Sequence, residues 1–326
     1  MVVTENASMQ TGRLPMPEIN RDTVLPLLRA KEDAARETLY KSNPLFARLQ
    51  SKDHIVPFNG GREIQQPLEA YGAHPAAVSM HGGSLDSKEC VSCACYPIEK
   101  GRSFLTVLED EWIKNVHDEQ RASLINWRAK NAVRSMRNGM EEFLVHQLDL
   151  ALPAGPGPLA MYGGISKTRY SMWAHGLAKI PTVSAENLLE LITEGISQST
   201  RFDSKPDLIL LSTDLYSMLE NALAANDTYE RYLSADIADA GFEGFHVNGA
   251  DIVWCQPLPE GNAMFLDTDF IYLRPHVDHD FIWTEEAQAT DQDGKGQTCD
   301  LWSLHWQGNL TFSNMSTQRR MWVPNA

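Results

Sequence analysis

Apolar residues recur at spacings of three and four from Ile125 through Ala129, Ala132, Val133, Met136, Met140, Phe143, Leu144 and Leu148 to Ala151. That periodicity is one stripe along one helix face. It predicts a helix from about Glu119 to Leu152, on the order of 50 Å long at ~1.5 Å per residue, more than a compact domain of this size requires. Gly139 is a candidate kink. Pro153-Ala154-Gly155-Pro156-Gly157-Pro158 ends the helix, because neither helix nor strand continues through that run of proline and glycine.

Before the helix the pattern is weaker. Residues 1–60 hold short amphipathic pieces, such as Val24 to Leu28 and Lys31 to Tyr40, broken by Pro15, Pro17, Pro26 and Pro44. They carry too little apolar surface to fold alone, so the segment is expected to drape over its own domain or a neighbouring subunit. From Gly61 to Leu108 two extended stretches, Arg62 to Glu69 and Cys90 to Tyr96, flank a tip at His81-Gly82-Gly83-Ser84. Pro67 favours an edge strand, and the pattern reads as a long surface hairpin. A hairpin of that length is not stable alone in water and needs a surface to lie on.

Past the breaker the pattern is α/β. Thr182 or Ser184 caps a helix bearing Leu188, Leu189, Ile192 and Ile196; Asp207 to Leu211 is a strand covered on both faces; Ser212 or Thr213 caps a second helix carrying Leu215, Met218, Leu219, Ala222 and Leu223. Asn248-Gly249, between Phe245-His246-Val247 and Ile252-Val253-Trp254, is a hairpin turn, since both residues tolerate positive φ. Strands at Met264 to Leu266 and Phe270 to Leu273 complete a mixed sheet. After Thr290 to Gln297, Leu301 to Trp306 and Leu310 to Val323 read as strands that rejoin the domain of the long helix.

Charge sharpens this division. The 326 residues carry a net −15, which argues against a chain built mainly to neutralise nucleic-acid phosphates or anionic lipid. Residues 177–298 hold six basic and 22 acidic residues, a net −16, and the remainder is +1. One acidic segment is therefore inserted in a neutral chain. The N-terminus has neither the basic start nor the apolar run of a signal peptide, no stretch approaches a membrane span, and five cysteines are an odd count. The expectation is a protein made in the cytoplasm with reduced thiols and no membrane partner.

Three clusters could carry chemistry. Cys90, Cys93 and Cys95 with His81 are the ligand types of a zinc site, but on a strand Cys93 and Cys95 share a face that Cys90 does not, and no second CxxC exists. His276, Asp278, His279 and Asp280 could serve a metal-dependent hydrolase, yet strand alternation splits them between two faces and reads as a polar sheet rim. Asp291-Gln292-Asp293-Gly294 with Asp300 partly mimics a calcium loop, failing at Ala289 in the first position and at the twelfth, where Asp replaces Glu. No phosphate loop, nucleophile elbow or HExxH occurs, and Gly163-Gly164 lacks a following helix. No catalytic residue, metal ligand or cofactor is assigned, and the chain is read as a non-enzyme.

Several stretches, in order, resemble the major capsid proteins of tailed bacteriophages, which have the Hong Kong 97 fold. They are Gly60-Gly61-Arg62-Glu63-Ile64 with Pro67-Leu68-Glu69; Tyr162-Gly163-Gly164-Ile165 with Tyr170-Ser171-Met172-Trp173; Pro206 to Ile209; Ala238 to Phe242; and Gly308-Asn309-Leu310 with Asn314 and Arg319-Arg320. The resemblance spans about 60 to 323. It implies an α+β capsid fold with an N-terminal arm (1–60), an extended loop (61–108), a peripheral domain with a spine helix (109–176), an axial domain (177–298) and C-terminal strands rejoining the peripheral domain (299–326). It implies self-assembly into hexamers and pentamers of an icosahedral shell around double-stranded DNA contacted non-specifically, built in the host bacterial cytoplasm. Portal and decoration proteins are implied partners. Sixty residues of arm leave no room for the cleaved scaffolding segment of some members, so a separate scaffolding protein is expected. A protein-cargo nanocompartment shell of the same fold is the alternative, together with the hydrolase.

Overall fold

The structure is a computed structural model that describes residues 20–69, 93–115, 117–153, 161–167, 170, 173–201, 203–224, 234–286 and 299–324. The chain opens with three short helices, α1 (Arg21–Arg29), α2 (Glu32–Tyr40) and α3 (Pro44–Ser51). The starts of α1 and α3 are legible: the Asn20 side chain accepts from Thr23 N at 3.1 Å, and Asn43 accepts from Leu45 N at 2.9 Å with Pro44 in the first turn. Val24, Leu28, Leu39, Tyr40, Leu45, Phe46 and Leu49 are buried in the chain's own core. Of the two surfaces open to this segment, its own domain takes residues 20–51.

Strands β1 (Ile64–Pro67) and β2 (Cys93–Tyr96) pair antiparallel, with Pro67 opposite Cys93, and form the base of the expected hairpin. Its tip lies outside the described residues. Strand β3 (Glu99–Leu108) leads through α4 (Glu109–Lys114) into α5 (Asp118–Ala151), one continuous helix of 34 residues that passes through Gly139. Its apolar stripe falls where the periodicity put it, with Ile125, Ala129, Ala132, Met136, Met140, Leu144, Leu148 and Ala151 buried. A two-residue turn at Gly163-Gly164, φ +56° and +74°, joins β4 (Met161–Tyr162) to β5 (Ile165–Ser166).

The next elements are β6 (Gly176–Lys179), α6 (Leu188–Ser199), β7 (Leu208–Leu211), α7 (Thr213–Ala224), α8 (Ala235–Asp239), β8 (Gly244–Val247), β9 (Ala250–Trp254) and β10 (Asn262–Leu266). Asn248 and Gly249 take φ of +52° and +85° in the predicted turn between β8 and β9. Strand β7 is buried on both faces: Ile209 and Leu211 meet α6 and α7, while Leu208 and Leu210 join the core of α5. That sharing makes one body of the two cores. The chain ends with β11 (Ile271–Glu285), β12 (Cys299–Phe312) and β13 (Arg319–Trp322).

Two sheets organise the molecule: a six-stranded mixed sheet in the order β6-β13-β10-β7-β9-β8, and a three-stranded antiparallel sheet β11-β12-β3 covered by α5. Two expectations change here. Strand β11, placed by charge in the acidic segment 177–298, pairs along its length with β12 and belongs to the sheet under the long helix. Charge follows the solvent-facing positions of a strand, whereas its sheet is set by hydrogen-bond register. The C-terminal segment 299–326 divides as well: β12 joins the three-stranded sheet, but β13 inserts between β6 and β10 of the other. Met321 on β13 is buried against α6 and α7, a place no local pattern announces.

Candidate functional site

The four residues His276, Asp278, His279 and Asp280 sit on β11 at an irregularity where the register with β12 shifts between Pro275 and Asp280, and Phe281 takes φ +57°. His276 and His279 stay together, ring centroids 5.1 Å apart, and Asp278 N donates to His276 Nδ1 at 3.0 Å. Asp280 turns the other way. Its carboxylate accepts from Tyr40 OH at 2.5 Å and pairs with Arg36 Nε at 3.1 Å, tying α2 to β11. Burial pushes the Asp280 carboxyl up and lowers His279, where His276 and His305 add to the effect. The four are divided between two sides, but by the irregularity: plain alternation would set His276 with Asp280 and apart from His279, whereas the two histidines stay together, and the four do not converge on one point.

Of the cysteine cluster, His81 and Cys90 lie outside the described residues. Cys93 and Cys95 are half-buried on the same side of β2, and burial raises the Cys95 thiol, with Cys93 and Glu63 beside it. Of the calcium-like loop, Ala289 and Asp291 to Gly294 lie outside the described residues, and Asp300 accepts from Trp112 Nε1 at 2.9 Å and pairs with Arg21 at 3.3 Å. Among the described residues no group of three or more His, Cys, Asp or Glu is placed to hold a metal ion.

A grouping that sequence reasoning missed is Ser303, His305 and Glu286. Ser303 Oγ lies 2.6 Å from His305 Nε2, and Glu286 Oε1 lies 3.0 Å from the same nitrogen and 2.6 Å from Ser303 Oγ. A nucleophile and an orienting carboxylate must engage opposite ring nitrogens for a proton to pass between them. Here both crowd one nitrogen, and the triangle fastens the end of β11 to β12.

The remaining polar side chains hold elements together, and many belong to the stretches singled out above. At the hairpin base, Tyr96 OH donates to Phe312 O at 3.2 Å and accepts from Phe312 N at 3.1 Å, and Cys95 N donates to Gly163 O at 2.9 Å. A Cβ on Gly163 would lie 3.1 Å from Ala94 Cβ and from the Tyr96 ring, so the Tyr162-Gly163-Gly164-Ile165 turn sits flush against β2. Trp173 Nε1 donates to Tyr162 O at 2.8 Å beneath it. Asn309 Nδ2 donates to Pro97 O and Asn314 Nδ2 to Glu69 O, both at 2.9 Å, clamping the two sides of the hairpin base to the C-terminal end of β12 and the residues just past it.

At the other end of α5, Arg320 is 3% exposed; it donates to Leu152 O and to Asn262 Oδ1, each at 2.8 Å, and bonds Asp149. Lys167 Nζ donates to Ala151 O at 2.9 Å, and burial brings its pKa down to about 8. Two cations thus satisfy the last carbonyls of the long helix, where its dipole is negative. A third lock joins α3 to the six-stranded sheet: Arg48 bonds the buried Asp251 and lies 3.1 Å from Asp236, and Lys52 Nζ lies 2.9 Å from Asp207. Burial by itself raises the Asp251 carboxyl; bonds from His246 and Ser234 and the Arg48 charge outweigh it and hold the group below its ordinary value.

No protein-family model matches the chain, and no curated protein is similar to it in sequence. Solved structures are. The capsid asymmetric unit of cyanophage A-1(L) superposes with a TM-score of 0.54 at 12% identity, covering 86% of this chain and 92% of that one. A virus-like particle from Pyrococcus furiosus gives 0.50 at 12% identity, covering 91% and 98%. The chain has the Hong Kong 97-type capsid fold. A phage-related protein from Bordetella bronchiseptica RB50 is similar over 91% of this chain and 95% of its own, with a TM-score of 0.50 at 11% identity. Within the Hong Kong 97-type fold, the stretches around Gly163, Asn309, Asn314 and Arg320 act as clamps: they hold a hairpin at its base and a long helix at its end.

Proposed function

We propose that the chain is the major capsid protein of a tailed bacteriophage, whose copies form the hexamers and pentamers of an icosahedral shell around double-stranded DNA. The fold, matched over 86 to 91% of the chain, carries this reading. The hairpin gives it a mechanism. Its base is held by Tyr96, Asn309 and Asn314, and in this reading the stretch between β1 and β2 lies on an adjacent subunit and adds buried area beyond a simple dimer contact. Many such overlaps, each weak, sum by multivalency. In this reading residues 1–60 form the arm segment, with 20–51 anchored on their own subunit; the three-stranded sheet with α5 forms the peripheral domain, and the six-stranded sheet the axial one. Among the described residues no helix is long and apolar enough to cross a membrane.

Electron microscopy tests this: closed shells of one size are expected among particles from infected cells, full-size shells from the chain expressed alone would remove the need for a separate scaffolding protein, and monomers or small oligomers in both preparations would refute the reading. A nanocompartment enclosing protein is the second reading, since one of the similar structures is a virus-like particle and is not named as a phage capsid. Mass spectrometry and nuclease treatment of the shell contents separate the two. The hydrolase reading requires His276, Asp278, His279 and Asp280 to act together, and the bond of Asp280 to Tyr40 on the opposite side opposes it.

A further inference from the structure

Between Gln120 and Met140 the chain holds five basic residues and no acidic one, against a net −15 overall. This run is the middle of α5. Arg121 and Arg128 turn toward α4: Arg121 Nε donates to Asn115 O at 2.7 Å, and Arg128 bonds Glu111 at 2.5 Å while its guanidinium carbon stands 5.8 Å from the Trp127 ring centre. Lys130, Arg134 and Arg137 lie with Trp127 on the face opposite the apolar stripe, inside an arc of about 80° at ~3.6 residues per turn. Trp127 is 59% exposed. Arg137 pairs with Glu141 at 3.2 Å, whereas Lys130 and Arg134 are exposed with no carboxylate partner among the described residues. Ser123 and Asn138 also lie on the face, and a carboxylate stands at each end of it: Glu119, beside Trp127 and Lys130, and Glu141, the partner of Arg137.

The core of a contact between copies favours Trp and Arg but is depleted of Lys and of charge overall, whereas this exposed face gathers cations, two of them without a carboxylate partner among the described residues, around one ring. It matches a polyanion: the cations neutralise phosphates, and the indole offers a flat surface to a sugar or an unpaired base. We propose that this face of α5 touches the phosphate backbone of the enclosed nucleic acid, weakly and without sequence preference, an inference that rests on the capsid reading. The net charge and the contact are compatible. The acidic bulk keeps a single copy from gripping DNA tightly, and two unpaired cations per copy supply a weak contact, measurable at low salt, that a shell multiplies by presenting many of them.

Two phosphates neutralised per copy give a slope of log affinity against log salt of about −1.8 on duplex DNA, so affinity falls about twelvefold between about 50 and about 200 mM salt. The test titrates the full chain, as dispersed subunits whose α5 face is open to added DNA, into a fluorescein-labelled duplex of about 20 base pairs at those two salt concentrations, read by anisotropy. The double variant Lys130→Glu/Arg134→Glu is expected to lose the salt-dependent binding, and Lys130→Arg/Arg134→Lys to keep it, both with the parent far-UV circular dichroism. An unchanged slope in the charge-reversed variant, or no duplex binding by the parent at the lower salt, overturns the proposal. So does displacement of the duplex by a polyglutamate peptide at equal charge, which would assign the face to an acidic segment of another copy. Salt-dependent binding by a chain that forms no shells would count against the capsid reading and leave the contact standing.

Discussion

Replacing Asp267 by asparagine should stabilise the subunit at neutral pH. Asp267 follows β10 at the point where the chain leaves the six-stranded sheet for β11, and it is 1% exposed. Its carboxylate accepts from Ser204 Oγ at 2.6 Å and from Asp269 N at 3.3 Å. Burial, with the nearby Asp207 and Asp269 carboxylates adding repulsion and the Ser204 and Thr317 hydroxyls partly offsetting it, pushes its pKa up to about 6. The folded state therefore favours the neutral acid. The stability this provides is complete below the ordinary carboxylate pKa and is lost as pH rises through about 6. A rise of roughly two units at ~1.36 kcal/mol each leaves the ionised group costing about 3 kcal/mol near neutrality. Asparagine has nearly the same shape, never ionises, and keeps an oxygen for Ser204, giving up the longer 3.3 Å bond from Asp269 N. Asp267→Asn should gain up to about 3 kcal/mol at about pH 7.5 and almost nothing near pH 4. Urea unfolding of the dispersed subunit, followed by tryptophan fluorescence across that range, measures both ends. A loss of stability at the upper pH, or a gain that does not shrink as pH falls, would refute the reasoning.

Arg320→Met keeps much of the volume but strands Leu152 O, Asn262 Oδ1 and Asp149; a cost of about 3–5 kcal/mol in the same urea titration is expected, with fewer closed shells by electron microscopy. Tyr96→Phe removes both bonds to Phe312 and leaves its buried N–H without a partner, so about 1–3 kcal/mol should be lost without a change in far-UV circular dichroism. Gly163→Ala puts a Cβ 3.1 Å from the Tyr96 ring in a backbone of φ +56°; a loss of about 1–3 kcal/mol is expected, and faster proteolysis within residues 70–92 would show that the hairpin base has loosened.

The helix α5 was legible almost to the residue because its stripe repeats for many turns and Pro153 stops it. The Asn248-Gly249 turn and the doubly buried β7 were equally local signals. The boundary near residue 298 was not legible. Acidic residues on β11 belong to its exposed and ion-paired positions, Asp280 to Arg36 and Glu285 to Arg21, and say nothing about which strand lies beside it. Likewise the stretches that pointed to a capsid fold could be matched in order without revealing what their residues do. Arg320 and Leu152 are far apart in sequence, and so are Asn309 and Pro97, and only the fold brings each donor to its carbonyl.

The sequence by itself determined the local elements, the fold class and the position of the excess acid, since periodicity, turn chemistry and charge are written in neighbouring residues. The tertiary structure decided which sheet each strand joins, that residues 20–51 lie on their own subunit, and that the histidine and carboxylate cluster on β11 faces two ways. Those outcomes depend on hydrogen-bond partners and burial contributed by distant segments, which no window along the chain contains.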